Sequence, residues 1–143
     1  MQERRLTKSE IDSLLETAPD TETRNLTKYL VARYMDAYQF FDQVAVEHFG
    51  LVNEDRPIYL GVLTFNLDTQ QHEIWTVVNS NVKEQFSLFK HSKRKIIGLA
   101  KKYGKLYARM EKVNIKNMKW TERLGFKKTS EDDTTITYCL EGG

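Results

Sequence analysis

What the chain lacks narrows its reading first. It has a single cysteine, Cys139, in 143 residues, so no disulfide can close within it, and that usage fits a reducing compartment. Two prolines and seven glycines are too few for a linker-rich or disordered protein. No apolar run approaches the ~20 residues that a membrane-spanning helix needs. The polar, charged N-terminus shows no secretory pattern. The expectation is therefore a cytoplasmic protein without membrane association. His48, His72 and His91 are scattered, with no Cys/His spacing suited to zinc, so no metal is expected. There is no serine elbow and no Walker loop.

What is present is ordinary in amount and uneven in placement. Forty per cent hydrophobic and 29% charged residues suit one soluble domain over residues 1–143, long enough to bury a core. Net charge is +2, but residues 1–82 carry −6, residues 83–119 carry +10 and residues 120–143 carry −2. The basic block from Lys83 to Lys119 suits a polyphosphate ligand, an acidic protein or a nucleic acid, or is simply a solvated helix face.

The periodicities give an order of elements. Thr7-Lys8-Ser9-Glu10 is a capping-box pattern, and Ile11, Leu14 and Leu15 follow at helical spacing, which predicts a helix over 8–17. A second helix is predicted from Thr23 or Asn25, with Leu26, Leu30 and Tyr34 on its stripe. Residues 38–49 fit either a continued helix or a strand over about 42–49, and the strand is preferred. A turn is expected over 50–56, then strands over 58–66 and 73–79 joined by a short loop. A long helix is predicted from 83 or 84 to 103, burying Phe86, Phe89, Ile96, Ile97, Ala100 and Tyr103, and ended by Gly104. A strand over 106–112 comes next, then a helix capped by Asn114, with Ile115, Met118 and Glu122 on one side and Gly125 past its end. A hairpin closes the chain, its arms over 126–129 and 134–140.

The run Asn114-Ile-Lys-Asn-Met-Lys-Trp-Thr-Glu-Arg-Leu-Gly-Phe126 resembles the close of the GNAT superfamily of N-acetyltransferases. The match is in register at Asn114, Leu124, Gly125 and Phe126, with Glu122 and Arg123 before Leu-Gly-Phe. In flavour it is similar to small, divergent GNAT-like proteins of bacteriophages. The resemblance implies an α+β GNAT-like (acyl-CoA N-acyltransferase) fold, a mixed, mostly antiparallel sheet flanked by helices, here without a clear first strand. It also favours the strand over 42–49. It implies acetyl-CoA as cofactor and acetyl transfer to an amine of a small molecule or a protein.

The same resemblance proposes site residues. The base of the family lies on the strand that here begins near His72 and Glu73; both also fit surface positions at a hairpin end. A general base must reach the amine, with a pKa near working pH. The family's frequent tyrosine falls on Thr121, whose hydroxyl is far less acidic than a phenol. The pyrophosphate loop maps to residues 79–86, which hold no glycine. Val78, Asn79, Asn81, Lys83 and Asn114 are the candidate cofactor contacts, and an ordinary capped loop is the alternative. Lys95 to Ala100 imitates the family's glycine loop but lies deep in the helical stripe, too close to Asn114 for the elements that must follow. Two rivals stay open: a GNAT-fold virion or host-interaction protein without catalysis, and a nucleic-acid-binding module using the basic helix.

Overall fold

The chain begins with a three-residue strand, β1 (Gln2–Arg4), and a helix, α1 (Lys8–Thr17). Strands β2 (Glu47–Asn53), β3 (Arg56–Asn66) and β4 (Gln71–Val78) follow, then helix α2 (Gln85–Tyr103) and strand β5 (Lys105–Glu111). Helix α3 (Ile115–Arg123) leads to β6 (Lys127–Glu131) and β7 (Thr135–Glu141). This is a computed structural model that describes residues 1–17, 39, 45–79 and 85–142. The predicted second helix, and the start of α2 near Lys83, lie outside the described residues. The seven strands form a mixed sheet in the order β1-β2-β3-β4-β5-β7-β6. Strands β4 and β5 pair in parallel, while β1–β2, β2–β3, β5–β7 and β6–β7 are antiparallel. Among the described residues, no helix is long and apolar enough to cross a membrane.

The described residues group into two compact units, Met1–Thr64 with Trp75–Lys90 and Phe65–Ile74 with His91–Gly143. In the first, the capping box forms as read: the Thr7 amide donates to Glu10 Oε1 at 2.9 Å, and the Glu10 amide donates to Thr7 Oγ1 at 3.3 Å. It starts α1 so that Ile11 and Leu14 join Leu6, Val52, Leu60, Val62 and Val77 in a buried cluster. Residues Ile58 to Thr64 of β3 are buried one after another, as in a strand covered on both faces.

Strand β2 corrects the sequence reading. It runs Glu47–Asn53; of the predicted 42–49, residues 45 and 46 are not strand and 42–44 lie outside the described residues. The turn shrinks to Glu54 and Asp55, at φ 52° and 61°. Two left-handed residues match the twist of a two-residue hairpin. Gly50, read as part of a turn, sits in the strand opposite Leu60. A Cβ there would lie 2.2 Å from Leu6 Cγ, so a tertiary contact requires this glycine. The missing first strand is also supplied: β1 pairs with β2 from Gln2↔Val52 to Arg4↔Gly50.

In the second unit, β5 and β7 pair over seven residues from Lys105↔Glu141 to Glu111↔Thr135. Leu106, Ala108, Ile136 and Tyr138 are buried in it. Helix α3 is capped as read, Asn114 Oδ1 accepting from the Asn117 amide at 3.4 Å, and Gly125 at φ +106° ends it. Its inner side, however, is Thr121 followed by Leu124; Ile115 is exposed. The stripe of α2 is also corrected. Phe86, expected in the core, is 82% exposed, and the buried positions are Leu88, Ser92, Ile96, Leu99 and Ala100. That stripe keeps the helical spacing but passes through a serine, which hydrophobicity alone does not mark.

Candidate active site

The second unit places four chemically active side chains on one sheet face. The loop before β4 is drawn in by Asn66, whose side-chain oxygen accepts from the amides of Asp68 at 2.9 Å and Thr69 at 3.3 Å. Gln70 then turns through φ 59° and Gln71 opens the strand. Glu73 stands beside Tyr107 of β5 in the parallel register. Because side chains alternate along a strand, Gln71 and Glu73 share their face with Tyr107 and Arg109.

Arg109 ties this face together. Its Nη1 donates to Glu73 Oε1, forming an ion pair, and its Nη2 donates to Gln71 Oε1 at 2.6 Å. The guanidinium also lies 5.9 Å from the Tyr107 ring centroid, a cation–π distance. The Glu73 side chain is 13% exposed and that of Arg109 34%. Among the described residues, Arg109 is the group that engages the Glu73 carboxylate.

The other sequence candidates stand apart from this cluster. His72, next to Glu73 in β4, points to the opposite face, where its ring meets Phe65 at 4.9 Å and Tyr103 of α2 at 4.7 Å. One site therefore cannot use both His72 and Glu73. Thr121 is buried, and its hydroxyl donates to Met110 Sδ at 3.9 Å. Met110 alternates with Arg109 along β5, so Thr121 also serves the face away from Glu73. Asn114 is occupied as the α3 cap. In the first unit, Val78 ends β4 half-buried, and Asn79 is buried, its amide donating to Ile58 O at 3.0 Å. Asn81 and Lys83 lie outside the described residues. Gln71, Tyr107 and Arg109 are the members that the sequence reading did not select. The one available signal was strand alternation in β5, with Leu106 and Ala108 inward and Tyr107 and Arg109 outward. Arg109 had instead been counted into the basic block. Among the described residues, no three His, Cys, Asp or Glu side chains are grouped to hold a metal ion.

No protein-family model matches the chain, and no curated protein matches it. Solved structures do. The N-acetyltransferase PseH of Campylobacter jejuni is 17% identical, covers 99% of this chain and 98% of its own, and superposes with a TM-score of 0.64. An acetyltransferase (GNAT family) of Bacillus anthracis is 14% identical over 98% and 93%, at 0.66. The chain has the GNAT fold. PseH has also been solved in complex with acetyl coenzyme A, and that structure matches at 18% identity over 97% and 94%, with a TM-score of 0.61. At these identities the likeness to GNAT structures is one of fold, and substrate and chemistry have to be argued from the residues themselves.

Proposed function

We propose that the protein is an acyl-CoA-dependent N-acetyltransferase, one GNAT-like domain over residues 1–143, that acts on an amine with Glu73 as proton acceptor. The observation that carries this reading is the Glu73 carboxylate. It is mostly withdrawn from water, stands on β4 of a GNAT fold and has Arg109 as its described partner. A carboxylate so placed is close enough to the surface for an amine to reach it. Glu73 takes the proton from the ammonium group so that its nitrogen lone pair can attack the thioester carbonyl. As the amide forms the C–S bond breaks, the thiolate leaves and is protonated from solvent, and Glu73 passes its proton to water. His72 and Thr121 have no part in this step, since both serve the opposite face.

Acetyl-CoA, when bound, supplies the thioester acyl group. The described residues fit such a ligand on one count. The first described turn of helix α2 carries no acidic side chain of its own, although Glu84 immediately precedes it in sequence, and a helix N-terminus favours an anion such as a pyrophosphate. Val78, Asn79, Asn81, Lys83 and Asn114 remain the proposed contacts, of which Lys83 bears the charge.

A second reading rests on exposure: Lys90, Arg94, Lys101 and Lys102 of α2 are open to solvent, a surface for an acidic protein or a nucleic acid. One experiment separates the two. Acetyl-CoA at 100 times its Kd should stabilise the protein by about 2.7 kcal/mol, and CoA should be released when an amine acceptor is added. No thermal shift and no CoA release, together with polyanion binding that weakens steeply with salt, would replace the first reading by the second.

A further inference from the structure

The Glu73–Arg109 pair poses a problem for an ordinary amine. On the reading of Glu73 as the proton acceptor, on which this inference rests, an ammonium group must reach a carboxylate that Arg109 already engages. An amine alone would bring a second cation to one carboxylate, in a place where the Glu73 side chain is only 13% exposed. The two cations repel, and the guanidinium displaced by the ammonium loses its counter-charge, keeping only Gln71 and the Tyr107 ring.

We propose that the acceptor is a zwitterion, an amine with a carboxylate two or three bonds away, such as an α- or β-amino acid, and that Arg109 is the residue that selects it. The two charges of such a molecule answer the two charges of the pair. Its ammonium meets Glu73 and its carboxylate meets Arg109, so one ion pair opens and two close with no net charge brought in. The surroundings suit Arg109 to this exchange. Gln71 Oε1 holds one edge of the guanidinium at 2.6 Å and the Tyr107 ring lies against it. The group is thus kept in place when Glu73 turns to the ammonium. A guanidinium also offers a carboxylate two parallel donors, a match that a lysine does not give.

The test compares each of the twenty L-amino acids with its carboxamide, which keeps the amine and removes the anion. CoA release and the melting temperature without acetyl-CoA are both read, on the parent protein, Arg109→Gln and Arg109→Lys. The expected result is roughly tenfold higher kcat/KM in the parent for at least one amino acid over its amide, the worth of one partly screened charge-assisted pair. In Arg109→Gln that preference should vanish through a higher KM for the amino acid, with KM for the amide unchanged or lower. Arg109→Lys should restore part of it. A parent that treats acid and amide alike, or an Arg109→Gln variant that loses both equally, overturns the proposal. Amino-acid binding that depends on Arg109, with no acetyl transfer to any acceptor, would sink the acetyltransferase reading and leave the zwitterion site standing. Neither binding nor transfer would sink both.

Discussion

Among the described residues, each compact unit contains an arginine–glutamate pair, and the two pairs are built differently. Arg4 and Glu10 are six residues apart. Arg4 Nη1 donates to Glu10 Oε1 at 2.7 Å and Nη2 to Oε2 at 2.6 Å, while Oε1 also accepts from the Thr7 amide. Both oxygens of Glu10 are committed, and the pair ties β1 to the first turn of α1. Arg109 and Glu73 come from strands 36 residues apart in sequence. Only one oxygen of Glu73 is engaged among the described residues, and the guanidinium is shared with Gln71. A pair with every acceptor used contributes to structure. A pair with acceptor capacity left, on a sheet face beside a phenol, is placed to exchange partners.

The largest effect should separate the pairs by activity. Glu73→Gln removes the base while its amide oxygen can still accept from Arg109. It should lower kcat for CoA release by roughly 10²- to 10⁴-fold, the range for loss of a general base, with little change in melting temperature. Glu10→Gln should leave kcat unaltered. Equal activity in Glu73→Gln and the parent would remove Glu73 from the chemistry and erase the distinction.

Legibility in the sequence follows the same division. The Thr7–Glu10 box, the Asn114 cap and the left-handed Gly125 were readable because each is a local demand met within four residues or fewer, or by the glycine itself. Strand β2 was misplaced because Gly50 answers to Leu6, more than forty positions away, and looks like a turn residue to any local rule. In α2, Ser92 interrupts the buried stripe and Phe86 lures it to the wrong turn. Of the site, the strand bearing Glu73 was legible from β-branched and aromatic alternation. The partnership with Arg109 was not, because only the parallel pairing of β4 and β5 brings the two together, and no spacing rule encodes that.

The next effect is on stability and should belong to the first pair alone. Glu10→Ala removes both the ion pair and the acceptor for the Thr7 amide. Loss of such a cap costs about 1 kcal/mol, and the solvent-screened pair with the partly exposed Arg4 adds to it. Thermal unfolding should show a fall of several degrees. Glu10→Gln keeps an acceptor for the cap and should lose about half as much. A drop in Glu73→Gln as large as in Glu10→Ala would show that the second pair is structural too.

The smallest effect is a pH dependence, and it isolates the Arg4–Glu10 pair from its surroundings. The hydrogen bonds from Arg4, opposed by burial and helped by the Thr7 bonds and the Arg4 charge, hold the Glu10 carboxyl at about 2 against an ordinary 4.5. A depressed acid contributes its stability above the unfolded value and loses it as pH falls through the folded one. The pair's contribution should therefore be complete above pH ~5 and gone near pH 2. Other groups titrate in the same window. Glu131 is held at about 2 by Lys112 and then Lys128, and Asp132 is lowered by the amides of Thr134 and Thr135. The parent's acid transition alone thus does not report on Glu10. The difference in melting temperature between the parent and Glu10→Gln does, because every other group cancels. It should be constant at about 3 °C near neutral pH and shrink to nothing as pH falls from 4.5 to 2. A difference that stays flat across that range would mean that the carboxylate charge of Glu10 contributes nothing and that uncharged hydrogen bonding to Arg4 ties β1 to α1.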